Sequence, residues 1–283
     1  MTTAIDPVVS SAWLEARLGS GHVIVDLREP HLYLAGHVPG SVNIPFSPMS
    51  DWAVSDDELL MELPPAADLF AVLGQWGITP GSTVILVGTM EPPPAPPYAL
   101  ADAPRVAATL WWAGVREVAV LDGGYPRWAA EDRPVETAVA DPAPAAAWAG
   151  PVEEGMFVET GYVKERLGKT VLIDGRDAGQ FFGVATCPFA GVGGHIPTAR
   201  SLPAPWIWLE DGTYRPLSEL QAMAEGLVGL DRDREIIVYC GVGGFASAWW
   251  FVLTRLLGYR AVKIYDGAAE AWAKSEPMVS FTW

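Results

Sequence analysis

The sequence predicts two tandem copies of one α/β domain, each a doubly wound, mainly parallel sheet flanked by helices. An apolar, β-branched run ending in Asp-x-Arg occurs twice, at Asp26/Arg28 and at Asp174/Arg176. Each is followed by Gly-His-[Val/Ile]-Pro, at 36–39 and 194–197, and later by a matched pair, VAVLDGGYPRW ending at Trp128 and VKIYDGAAEAW ending at Trp272. The landmarks keep their order and share a shift of about 150 residues, the signature of an internal duplication. Short Val/Ile/Leu runs at 23–27, 84–87, 118–121, 171–173, 236–239 and 262–265 read as buried parallel strands. The longer segments 106–113 and 246–257, closed by Gly114 and Gly258, read as covering helices. Alternation of the two implies sites at strand C-termini. The Pro/Ala-rich stretch 136–151 breaks periodicity and reads as a linker between domains at 1–135 and 152–283. EPPPAPP at 91–97 reads as a stiff loop of the first copy.

The 283 residues are half apolar and 18% charged, a composition that packs a core. Eighteen Lys and Arg against 34 Asp and Glu leave a net charge of −16, which repels phosphate backbones and anionic lipid, so no nucleic-acid or membrane partner is expected. No apolar run is long enough to span a bilayer, and the first residues lack a basic and then apolar leader, which predicts a cytoplasmic protein. Two cysteines, Cys187 and Cys240, are too few for a disulfide framework. No His/Cys/Asp/Glu spacing matches a metal site, and no nucleotide fingerprint is present. No cofactor is expected.

Cys240 ends an apolar strand and opens a glycine-rich turn, Gly241, Val242, Gly243, Gly244, Phe245 and Ala246, after which a helix begins. Such a turn aims successive N–H groups at the sulfur, and the helix start adds partial positive charge. Both effects predict a thiol pKa lowered from about 8.5 towards neutrality, and a nucleophilic thiolate. The first copy carries Gly88 at the matching strand end, so only one half holds the thiol. A cysteine-based phosphatase would need Arg six positions after the nucleophile to clamp phosphate, and Ala246 stands there.

With Cys240, the Gly-His-x-Pro turns and the Asp-Gly-x-x-x-x-Trp segments in this order, the chain resembles the rhodanese superfamily, and within it the tandem-domain thiosulfate and 3-mercaptopyruvate sulfurtransferases, over nearly its whole length. The resemblance implies a catalytically silent first domain, a Cys240 persulfide in the second, a small-molecule sulfur donor, and a thiol, reductant or protein acceptor. The Cys-Gly-x-Gly start at Cys240 is nearer the mercaptopyruvate enzymes. It also implies two pocket arginines before the second Gly-His-Ile-Pro, but Gln180 and Phe189 occupy those positions. Val242 stands for the usual Ser or Lys, and Phe245 for the usual Thr. A charge-assisted hydrogen bond contributes about 1.5–3 kcal/mol, so two lost would weaken a small anion roughly a hundredfold or more.

The expected pocket is therefore Gln180, Phe189, Arg176, Asp174 and His195, with Val242, Phe245 and Trp206 or Trp208 adding an apolar lining suited to a less anionic substrate. Arg176 or Arg200 could supply the missing cation, although an arginine in Asp-x-Arg more often braces its loop. His37 and His195 are expected to brace their turns. A Ser-His-Asp relay of some relatives is incomplete here, since Asp26 and His37 match but Val242 takes the serine place. Cys187, two residues before Phe189, has two readings: a redox partner that approaches Cys240 and takes its sulfur or forms a reversible disulfide with it, or an inert thiol beside Pro188. Two alternatives remain: Cys240 used for another reaction on a less anionic, biosynthetic substrate, or a non-catalytic binding module.

Overall fold

A computed structural model describes residues 5–55, 58–91, 98–140, 144–145 and 148–281; most of the 91–97 loop expected from the sequence lies outside them. The chain forms two compact units, Met1–Val54 with Leu63–Glu154 and Glu210–Tyr214, and Ser55–Glu62 with Gly155–Leu209 and Arg215–Trp283.

In the first unit the strands are β1 (Val8–Val9), β2 (Val23–Asp26), β3 (Val42–Asn43), β4 (Thr83–Val87) and β5 (Glu117–Leu121), paired in the order β1-β5-β4-β2-β3. In the second they are β6 (Phe157–Val158), β7 (Val171–Asp174), β8 (Arg200–Ser201), β9 (Ile236–Tyr239) and β10 (Val262–Tyr265), in the order β6-β10-β9-β7-β8. Every pairing between these strands is parallel. The two orders are the same permutation, so the duplication seen in sequence is a duplication of topology. Valine and isoleucine dominate β4 and β9 because both faces of a central parallel strand are covered, and every residue of β9 is buried.

The repeated motifs carry the same contacts in each unit. Arg28 forks onto Asp26 (2.6 Å) and donates to the Gly36 carbonyl (2.8 Å); Arg176 does the same with Asp174 (2.6 Å) and Gly194 (2.6 Å). His37 stacks on Tyr33 and His195 on Phe181, with ring centroids 3.7 and 3.8 Å apart. Trp128 and Trp272, both buried in their cores, donate Nε1–H to the carbonyls of Pro134 and Pro277.

Two elements differ from the sequence expectation. The helix expected at 246–257 starts earlier, at Gly244, and after Phe251 widens into a π-helical turn, Val252–Leu256. The described part of 136–151 is strapped to the first unit. Glu136 pairs with His37, Ala145 donates to Gly74, and Trp148 rests on Phe70 (4.3 Å) while donating to the Ile78 carbonyl. A tryptophan in a Pro/Ala-rich stretch needs a surface to cover it, and here that surface is the helix Ala66–Gln75.

Candidate active site

Strand β9 ends at Tyr239 and delivers Cys240, 3% exposed, into the turn before the helix Gly244–Phe251. Gly243 adopts a left-handed φ of 94°, which lets its N–H turn back onto Cys240 Sγ at 3.1 Å. The N–H groups of Val242 and Ala246 act on the same sulfur. Ser247 Oγ and N–H both bond the Gly243 carbonyl, locking the turn to the helix. The carbonyls of Cys240 and Gly241 accept from Ala269 and Glu270 at the start of helix Ala268–Ser275, and the Tyr239 carbonyl accepts from Gly175. The result is a rigid sulfur-centred nest at a strand C-terminus.

Burial dominates the electrostatics. It pushes the Cys240 thiol above its ordinary value, and the N–H groups of Ala246, Val242 and Gly243 lower it only in part, while the Asp174 charge adds to the rise. The lowered thiol expected from the loop sequence is therefore corrected. The nest is present, but the sulfur is desolvated, and burial outweighs the N–H groups. The N–H groups remain aimed where negative charge on sulfur would form.

A second loop covers the turn. Cys187 N–H donates to the Val192 carbonyl and Gly191 N–H to the Cys187 carbonyl, closing a short loop whose base is the buried Cys187 and whose tip carries exposed Phe189. A β-carbon on Gly241 would lie 2.9 Å from the Phe189 ring and 3.6 Å from Cys187 Sγ, so only glycine admits this loop. The sequence-expected Cys240, Cys187, Phe189 and the residues 241–246 thus come together. Trp208 is buried, while Trp206 is half exposed.

Other expected residues are placed differently. Asp174 and Arg176 are buried and bound to each other, and Arg176 Nη2 also holds the Gly194 carbonyl, so this pair braces the loop from behind. Although burial pulls against it, the Asp174 charge and hydrogen bond hold the Arg176 pKa above its ordinary value, with lesser help from Tyr239 and Cys187. Arg200 donates to the Leu227 carbonyl and is not delivered to the thiol. His195 Nδ1–H donates to the Phe181 carbonyl (2.8 Å) and the residue pairs with Val279, lining a separate cleft with Pro197, Thr198 and Arg200. Gln180 uses its backbone to hold the turn, receiving the Gly194 N–H.

One contributor has no signal in the sequence. Residues 58–62, far upstream, pack in the second unit: Leu60 N–H donates to Glu270 (2.9 Å), and Met61, with a left-handed φ of 62°, puts Sδ 3.6 Å from where a Gly244 β-carbon would be. Met61 and Glu270 thereby pack against the turn that carries Cys240.

A duplicated parallel-sheet protein with one nested thiol defines a class of cysteine-based α/β proteins. The model of the rhodanese-like domain matches residues 10–131 and 159–275, and the chain belongs to this family, in two copies. It is 29% identical to the sulfur carrier protein TtuD of Thermus thermophilus, covering 94% of this chain and 93% of that one. It is 32% identical to a thiosulfate sulfurtransferase of Corynebacterium glutamicum, covering 94% and 87%. Among solved structures, EanB holding a cysteine persulfide and ergothioneine superposes with a TM-score of 0.84 at 23% identity, over 98% of this chain and 71% of that one. YnjE superposes with a TM-score of 0.80 at 25% identity, over 98% and 69%. Among the described residues, no helix is long and apolar enough to cross a membrane and no cluster of three His/Cys/Asp/Glu could hold a metal ion.

Proposed function

We propose that this protein is a cytoplasmic sulfurtransferase that moves a sulfane sulfur from a donor to a thiophilic acceptor through a persulfide on Cys240. The observation that carries this reading is the Cys240 sulfur held 3.1 Å from the Gly243 N–H in a closed nest, on a chain whose relatives are named for sulfur transfer and carriage. Deprotonated Cys240 attacks the donor's outer sulfur; the Sγ–S bond forms as the donor's bond to that sulfur breaks, and the donor leaves with the electron pair. The anionic persulfide replaces the thiolate in the nest, where the N–H groups of residues 241–246 offset the negative charge without reorganising. An acceptor thiol or other nucleophile, small or on a protein, then takes the outer sulfur and restores Cys240.

Residues 1–135 serve as the silent repeat and 152–283 as the catalytic one. Strand β4 of the first repeat is followed by Gly88, whose carbonyl is engaged by Tyr125, and no sulfur stands there. The residues that stand at the second repeat's expected substrate positions are uncharged. With Gln180, Phe189, Val242 and Phe245 in place of cationic and hydroxyl groups, and Arg176 held by Asp174, the favoured donor is a neutral or weakly charged organic persulfide. Thiosulfate and 3-mercaptopyruvate are poor donors on this reading.

Steady-state sulfur transfer to cyanide or a small thiol, compared across thiosulfate, 3-mercaptopyruvate and a neutral organic persulfide, tests both parts. The expected result is turnover favouring the neutral donor and abolished in Cys240→Ser. A covalent Cys240 adduct that lacks added sulfur would instead establish a different reaction on the same thiol.

A further inference from the structure

The loop that bears Cys187 packs over the turn that bears Cys240. Cys187 is fully buried although Pro188, Phe189, Gly191 and Val192 around it are exposed, so the loop turns one side chain inward, and that side chain is a thiol. Its Sγ lies 3.6 Å from where a β-carbon on Gly241, the residue directly after Cys240, would be. Both cysteines are free. Behind them lies Arg176, 2% exposed, whose Nη1 has no hydrogen-bond partner and whose cation interacts electrostatically with Cys187. A buried, unspent N–H donor whose charge acts on Cys187 suits an anionic sulfur species formed at that residue.

We infer that Cys187 is a resolving thiol: it attacks the Sγ of the Cys240 persulfide, expels the outer sulfur as hydrogen sulfide, and leaves a Cys187–Cys240 disulfide. The inference rests on the persulfide chemistry proposed above and names its natural acceptor class, a dithiol. In the step, the Cys187 Sγ–Cys240 Sγ bond forms and the Sγ–S bond of the persulfide breaks. The persulfide, protonated from solvent on its outer sulfur, releases that sulfur with the electron pair as hydrosulfide, which takes the Cys187 thiol proton to leave as hydrogen sulfide. The sulfane sulfur is reduced, the two cysteine sulfurs are oxidised, and no external oxidant enters. A dithiol, small or on a reductant protein, then opens the disulfide by exchange and returns both thiols. Attack on the inner sulfur is favoured over attack on the outer one by leaving-group strength: hydrosulfide leaves more readily than the buried Cys240 thiolate, which desolvation makes the more basic of the two.

The test loads wild type, Cys187→Ala and Cys187→Ser with sulfur from a neutral organic persulfide, removes the donor, and follows intact mass and hydrogen sulfide in thiol-free buffer. Wild type is expected to lose its added sulfur as hydrogen sulfide and end two hydrogens lighter than the reduced chain, with a cross-linked peptide joining Cys187 to Cys240. Both variants should keep the added sulfur roughly tenfold longer or more. Equal persistence in all three, with no cross-linked peptide, overturns the inference. A second arm uses one equivalent of 4,4′-dithiodipyridine, which needs no sulfur donor. If Cys187 resolves, wild type releases two thiopyridones per chain and the variants one; one from every protein overturns it. Failure of any donor to add sulfur would sink the sulfurtransferase reading alone, and the second arm would then decide the cysteine pair.

Discussion

Replacing Arg176 with methionine removes the brace behind the catalytic loop, and the structure sets the size of the effect. The guanidinium meets Asp174 through Nε at 3.0 Å and Nη2 at 2.6 Å, and the Gly194 carbonyl at 2.6 Å. Asp174 is wholly buried, so Arg176→Met leaves its carboxylate with the residue 176 backbone N–H, at 2.9 Å, and the Tyr239 hydroxyl, and without a counter-charge. Breaking a buried pair on one side costs about 3–5 kcal/mol, whereas exposed pairs contribute about 0–1 kcal/mol. Arg28→Met makes the matching cut in the first unit, where the Asp26 contacts are 2.9 and 2.6 Å, and should cost a similar amount. Removing both charges together, as in Asp174→Asn/Arg176→Met, should recover much of the loss, because no uncompensated ion then remains buried. Urea unfolding followed by tryptophan fluorescence measures each variant. Midpoint shifts equivalent to less than about 1 kcal/mol in both single variants would refute the bracing role and return Arg176 to the pocket as a substrate contact.

Three further outcomes are expected. Cys240 alkylation by iodoacetamide should rise with pH around a midpoint above the ordinary thiol value of about 8.5, and Asp174→Asn should lower that midpoint, since the Asp174 charge raises it; a midpoint below 8.5 would contradict the burial argument. By linkage, the native thiol holds its proton more tightly than the unfolded one, so its contribution to stability is complete below the unfolded pKa and is lost as pH rises through the native value. Gly241→Ala should slow sulfur loading by displacing the Phe189 ring, 2.9 Å from the new methyl, and Phe189→Ala should rescue it; additive effects in the double variant would deny the contact. Phe189→Arg or Gln180→Arg should raise kcat/KM for thiosulfate by about 10–100-fold, the yield of one charge-assisted hydrogen bond, and no change would show that the mouth does not select by charge.

The duplicated fold is legible in the sequence because its landmarks are chemical necessities. An Asp-x-Arg at a strand end is a fork that must close on a carbonyl, and Gly-His-x-Pro is the turn that supplies that carbonyl. Cys240 is legible for the same reason, since a lone thiol between an apolar strand and a glycine-rich helix start has few other uses. The direction of its pKa shift is not. Backbone N–H groups are local and visible in the loop sequence, whereas desolvation comes from tertiary packing, including the loop that bears Phe189 and Cys187. The brace formed by Arg176 is ambiguous for a related reason: a strand-end arginine can turn towards its aspartate or towards the pocket, and only burial of both groups decides. Met61 and Leu60 could not be found from sequence at all, because nothing local ties that segment to a helix two hundred residues away.

The central claim is sulfur bound covalently to Cys240. Intact mass of the protein after incubation with a neutral organic persulfide, followed by peptide fragmentation, addresses it directly. The account predicts a gain of one sulfur atom, located on Cys240, removed by cyanide and absent in Cys240→Ser. An unchanged mass with every donor, or added sulfur that persists in Cys240→Ser, would contradict it.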